Sequence, residues 1–134
     1  MIRYTALSDT GRRRKSNEDA MLADVENGVF VVADGVGGRA AGEVASSITI
    51  ETFQAAAPSL AEAVRAYAAR PEWSTRNAVL ELLESVCQSA SRRVYDEAES
   101  NNRRGMTTTL VACVVGGGAC FLAHVGAPTS CATA

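Results

Sequence analysis

The segment Phe30-Val31-Val32-Ala33-Asp34-Gly35-Val36-Gly37-Gly38, preceded by Asn17-Glu18-Asp19, narrows the possible folds more than any other part of the chain. Val29 to Val32 are β-branched or aromatic and are bounded by Gly28 and Gly35, the pattern of a short strand buried on both faces. Asp34 then stands at the end of that strand, where its charge escapes the cost of burying an unpaired carboxylate. The glycines after it let the backbone turn sharply and clear side chains from the approach of a metal, a phosphate or a peptide. A hard divalent cation such as Mg2+ or Mn2+ prefers carboxylate, carbonyl and water oxygens. The Asp34 carboxylate and the Gly35 carbonyl therefore make a chemically sensible ligand pair.

Further acidic groups lie close by in sequence. Glu18 and Asp19 head a strand-like stretch, Ala20 to Val25, which the turn Glu26-Asn27-Gly28 joins to the next run. In an antiparallel hairpin the start of the first strand lies beside the end of the second, so Glu18, Asp19 and Asp34 are expected to converge. Three carboxylates in a partly buried cleft repel one another, and bound cations are the natural compensation. Arg14, four residues before Glu18, suits bidentate recognition of a phosphate oxyanion. Taken singly, each residue also has a plainer reading. Asp34 fits an Asp-Gly turn, Glu18 and Asp19 fit solvated strand-start charges, and Arg14 fits a surface arginine. The glycines fit either a tight turn or a nest of N–H groups that binds phosphate directly.

Downstream, Ala41, Val44, Ala45, Ile48 and Thr52 recur at helical spacing and predict a helix that stops near Pro58. Ser59 with Glu62 reads as a capping box for a shorter helix to about Arg70, ended by Pro71. The stripe Val79, Leu82, Leu83, Val86, Ala90 and Val94 predicts a third helix packed on a sheet. After the polar loop Asn101 to Gly105, Thr108 to Val115 and Ala119 to Val125 form a hairpin around Gly116-Gly117-Gly118. His124 reads as a structural strand residue, and Thr107 to Thr109 as strand residues with no base placed to activate them.

Four motifs in order resemble the metal-dependent protein phosphatases, the PPM or type 2C serine/threonine phosphatases, and specifically their bacterial branch. They are Gly11-x-x-Arg14-x-x-Asn17-Glu18-Asp19, then Phe30 to Gly38, then Ala41-Gly42-Glu43-x-Ala45-Ser46, and Gly105-Met106-x-Thr108-Thr109-Leu110. The resemblance implies an α+β fold, an antiparallel β-sandwich flanked by α-helices, and hydrolysis of phosphoserine and phosphothreonine proteins at a centre of two Mn2+ or Mg2+ ions. By the same resemblance Asp34 bridges both ions, the Gly35 carbonyl binds one, Glu18 and Asp19 order metal-bound water, and Arg14 holds the substrate phosphate. A cognate bacterial Ser/Thr kinase is the implied counterpart. Thr107 stands where the family usually has glycine. After His124-Val125-Gly126 the family pattern Asp-Ser-Arg gives way to Ala127-Pro128-Thr129-Ser130-Cys131-Ala132-Thr133-Ala134. This divides the chain into 1–126, the N-terminal half of a phosphatase domain, and 127–134, an aberrant tail from a truncated or frameshifted reading frame. Two further aspartates of the family centre are absent. Near-complete loss of turnover is expected, together with apolar patches and open strand edges that favour self-association or aggregation.

At 134 residues, 47% hydrophobic content and a net charge of −2, the chain suits one soluble domain. The basic runs Arg12 to Lys15, Arg92-Arg93 and Arg103-Arg104 lie near balancing acids without interleaved aromatics, so no nucleic-acid partner is expected. The four cysteines form no C-x-x-C pair and read as reduced thiols. No stretch reaches membrane-spanning length and the N-terminus lacks an apolar signal core, which points to the cytoplasm. Two other functions fit the same residues: a catalytically inactive fragment that binds metal weakly as an interaction module, and a phosphate- or nucleotide-binding domain. The latter is disfavoured because no Lys-Ser or Lys-Thr follows the glycines.

Overall fold

The computed structural model describes residues 3, 5, 7, 18–38, 40–103, 105–126 and 129–133, the last five by their backbone. It begins with a hairpin of β1 (Asp19–Asp24) and β2 (Val29–Val36). The turn between them is built locally. The Asp24 carboxylate accepts hydrogen bonds from the Asn27 backbone N–H at 3.1 Å and from the Asn27 side-chain amide at 2.8 Å. Those bonds hold the Asp24 carboxyl below the usual carboxylate range. Gly28 completes the reversal at φ 68°.

Two long helices follow, α1 (Ala41–Ala69) and α2 (Trp73–Ser100). Helix α1 runs straight through Pro58, where the proline was expected to end it. Pro58 is exposed, so its missing N–H and the carbonyl it leaves unpaired face water. The buried stripe Phe53, Ala57, Leu60, Ala61 and Val64 continues across it without interruption. Ser59 is thus a mid-helix residue, and the capping box lies elsewhere. Glu72 caps α2 with Thr75 reciprocating, the Glu72 backbone N–H donating to Thr75 Oγ1 at 3.1 Å. The connection between the helices, Arg70-Pro71-Glu72, falls where Pro71 predicted a stop. The helices are also tied by Arg93, which donates to Thr52 Oγ1 at 2.7 Å.

The chain then returns to the sheet as β3 (Thr107–Gly116), β4 (Ala119–Gly126) and β5 (Thr129–Thr133). All neighbours are antiparallel, in the order β1-β2-β3-β4-β5. The residues after Gly126 extend this sheet through pairs from Gly126–Thr129 to Leu122–Thr133.

Helices cover one face of the sheet. Val29, Val31, Leu110, Ala112, Val114 and Phe121 pack there against Phe53, Leu60, Val79 and Leu83, all at 2% exposure or less. Tyr67 meets Phe121 edge to face, with ring centroids 5.4 Å apart. The opposite face is open: Val32 is 56% exposed, Val36 54%, Val111 55% and Leu122 43%. The expectation of a strand buried on both faces is therefore corrected. β2 alternates buried and exposed residues, because a single layer of helices covers one side only. The fold is α+β, with one five-stranded sheet and a helix pair among the described residues; a second stacked sheet is not among them.

Candidate functional site

The hairpin register sets the site. Asp19 lies directly opposite Asp34. The Gly35 N–H donates to the Glu18 carbonyl at 3.1 Å, which makes 18/35 a hydrogen-bonded pair. Antiparallel ladders alternate, so 19/34 is a non-hydrogen-bonded pair, the type whose side chains come closest. Two exposed carboxylates therefore face one another at one end of the open face, flanked on β2 by Val32 and Val36.

Glu18 does not join them. Successive strand residues point to opposite faces, and the Glu18 carboxylate lies on the helix side against Gly42. A Cβ on Gly42 would stand 2.7 Å from its Cδ. The expected convergence of three carboxylates is thus corrected to an opposed pair plus one carboxylate across the sheet. Among the described residues no three Asp, Glu, His or Cys side chains gather closely enough to hold a metal. The period of two contained this information, since Glu18 and Asp19 are adjacent. Arg14 and Asn17 lie outside the described residues.

Gly35 also differs from its sequence reading. It sits inside β2, buried, and not in a sharp turn. A Cβ there would come within 1.9 Å of the Gly42 carbonyl oxygen and 2.9 Å of the Glu18 carbonyl oxygen. The two glycines let the start of α1 press onto the strand end that carries Asp34, so their small size serves backbone-to-backbone packing. Gly42 is the site-shaping residue that motif reading left without a role. Its signal was an Ala-Gly pair opening an apolar helical pattern, where glycine otherwise costs helix stability.

The donors suit a hard divalent cation in kind: the opposed carboxylates of Asp19 and Asp34 and the adjoining Gly35 carbonyl, with open access for water to fill further positions. His124 is exposed on the same face, paired with Val111, two strands away from Asp34. A cavity of about 380 Å³ opens on the helix side between α2 and the Thr107 and Gly126 ends of β3 and β4, lined by Thr49, Val94, Tyr95, Met106 and Leu110. It shares no residue with the acidic pair.

A helix-backed antiparallel sheet with two carboxylates opposed at the end of its first hairpin defines an α+β domain with an acidic pair at a strand end. The chain belongs to the protein phosphatase 2C family, whose model matches residues 10–131. It is 31% identical to the serine/threonine protein phosphatase PstP of Mycobacterium tuberculosis over 127 residues, covering 94% of this chain and 22% of PstP. A putative protein phosphatase 2C-type protein of Streptococcus pyogenes is 28% identical over 128 residues, with coverage of 93% and 48%. The solved catalytic domain of PstP in complex with 2 manganese ions superposes with a TM-score of 0.73 at 30% identity, over 93% of this chain and 48% of that one. The chain thus spans just under half of that solved domain, and about a fifth of the full PstP sequence. Among the described residues no helix is long and apolar enough to cross a membrane.

Proposed function

We propose that this chain carries the first half of the catalytic apparatus of a metal-dependent protein serine/threonine phosphatase, acting on phosphoserine and phosphothreonine proteins opposite a bacterial Ser/Thr kinase. The observation that carries the reading is the register of Asp19 against Asp34 beside the glycine-packed start of α1, in a chain of the phosphatase 2C family. Asp34 through its carboxylate and Gly35 through its carbonyl are the proposed ligands of Mn2+ or Mg2+. Asp19, opposed to Asp34, orders water on the open face. Glu18, just before β1, acts from the helix side of the sheet beside Gly42, and Arg14 holds the substrate phosphate. When bound, a pair of such cations lowers the pKa of coordinated water and offsets charge on the transferring phosphoryl group. The free thiols Cys87, Cys113 and Cys120 suit a reducing compartment, and we place the chain in the cytoplasm.

One opposed pair and one carbonyl leave most of a cation's coordination to water, so the chain alone should bind Mn2+ weakly and turn over substrate at background. Two measurements test this. Mn2+ titration followed by electron paramagnetic resonance should detect binding that Asp34→Asn removes. A chimera in which residues 1–126 replace the matching half of the PstP catalytic domain should hydrolyse para-nitrophenyl phosphate and a phosphothreonine peptide with Mn2+, and lose that activity with Asp34→Asn. A folded chimera without Mn2+-dependent turnover, or one indifferent to Asp34→Asn, rejects the assignment.

A further inference from the structure

The β3–β4 hairpin holds two thiols in contact. Cys113 Sγ and Cys120 Sγ lie 3.1 Å apart, and both cysteines are free. The ladder pairs Cys113 with Leu122 and Val115 with Cys120, so the two cysteines are diagonal neighbours on the open face. Gly117 and Gly118, both at positive φ, form the two-residue turn that closes the hairpin. Such turns match the right-handed twist of the strands, and that twist swings one diagonal of the hairpin together. By contrast, Cys87 is buried between helix and sheet.

We propose that Cys113 and Cys120 form a peroxide-oxidisable dithiol that closes to a reversible disulfide across β3 and β4. Burial first, and then the hydrogen bond and charge of Cys120, push the Cys113 thiol up to about 12. Cys120 is the more exposed of the two thiols, and it is the attacking sulfur. The Cys120 thiolate attacks one oxygen of hydrogen peroxide. An S–O bond forms, the O–O bond breaks, and the departing hydroxide takes up a proton as water, leaving Cys120 as the sulfenic acid. Cys113 then attacks the Cys120 sulfur. The S–S bond forms, the S–O bond breaks, and the leaving hydroxide carries off the Cys113 proton as a second water. Two electrons pass from the thiol pair to peroxide, which is the only co-reactant.

The sulfurs need to approach by roughly 1 Å to reach the covalent S–S length. That distance lies within side-chain rotation. Diagonal partners stand further apart along the backbone than direct ones, so the bond is strained, and a strained, exposed disulfide is readily reduced. The device does not depend on metal or phosphatase chemistry, and it lies on the face that carries Asp19 and Asp34, toward the opposite end of the strands.

The test treats the reduced, dilute chain with stoichiometric hydrogen peroxide and follows free thiols, intact mass and peptide maps. The expected result is loss of two thiols per chain, a mass lower by two hydrogens, a Cys113–Cys120 cross-linked peptide, and full recovery with a dithiol reductant. Cys113→Ser should stop at a Cys120 sulfenic acid that a cyclic 1,3-dione traps, and Cys120→Ser should slow thiol loss at Cys113 by about tenfold or more. Circular dichroism confirms that both variants are folded. A cross-link through Cys87 or Cys131, a link between chains, or sulfinic acid accumulating in the unsubstituted chain without a cross-link overturns the proposal.

Discussion

β2 meets two environments along a single stretch of backbone. Val29, Val31 and Ala33 face the helices and are sealed from solvent, whereas Val32 and Val36, their neighbours in sequence, leave more than half their surface in water. Both sets are apolar, so composition does not separate them. What separates them is α1 and α2, which among the described residues pack against the first set and not the second. The covered face holds the fold together, and the open face carries the acidic pair and the thiol pair. The contrast explains how this sheet can display charge and sulfur on the same strands that build its core.

The comparison breaks most readily on the covered side. Phe53→Ala removes one of the two largest sealed side chains from the main cluster and should destabilise the domain by about 3–5 kcal/mol, read as a lower urea midpoint. A loss below 1 kcal/mol would mean that the helices do not carry the stability. Next in size, Gly35→Ala drives a methyl group into the Gly42 carbonyl and should cost about 1–3 kcal/mol while weakening Mn2+ binding at Asp34. Unchanged stability and metal affinity would show that α1 can back away from the strand.

Pro58→Ala probes the helix that spans both halves of the core. The residue is exposed, so restoring its backbone hydrogen bond should stabilise the chain by about 1–2 kcal/mol, after allowance for the freer unfolded state. Cys87 sharpens the covered side by pH. Burial, and then the charge of Glu84, push its thiol up to about 11 from an ordinary value of 9.0. The folded state then binds the proton more tightly than the unfolded one. The stability this provides is whole below pH 9 and is lost as pH rises through about 11. Urea midpoints measured across that range should fall, and Cys87→Ala should flatten the decline. Smallest of all, Val32→Thr on the open face should shift stability by no more than about 0.5 kcal/mol while reducing self-association in sedimentation. A cost near that of Phe53→Ala would show that something covers this face in solution.

Parts of this molecule are legible in its residues because their causes are local. The β1–β2 hairpin follows from Asp24, Asn27 and Gly28, whose side-chain hydrogen bonds and positive φ close the turn within a few residues. Once the turn is set, the register that brings Asp19 to Asp34 is a matter of counting. The stripe of α2 is equally local: Val79, Leu83, Val86, Ala90 and Val94 are buried as their spacing requires, and Leu82 at its edge is half-buried. Other features depend on partners distant in the chain and are not legible locally. Pro58 carries every local signal of a helix end, yet burial of Phe53 before it and Leu60 after it on the same sheet outweighs the lost hydrogen bond. Gly35 has the local setting of a turn glycine, but its small size is required by the Gly42 backbone packed against it.

By itself the sequence determined the strands β1 to β4, the apolar stripe of α2, the hairpin register, and the four motifs that place the chain in the protein phosphatase 2C family, because turn chemistry, side-chain period and residue identity are properties of short segments. Only the tertiary structure decided which face of the sheet is sealed, that α1 continues through Pro58, that the start of α1 packs against Gly35, and that Cys113 touches Cys120. Those outcomes depend on which surfaces meet and how the strands twist, and each is settled by packing between segments that are separate in the chain.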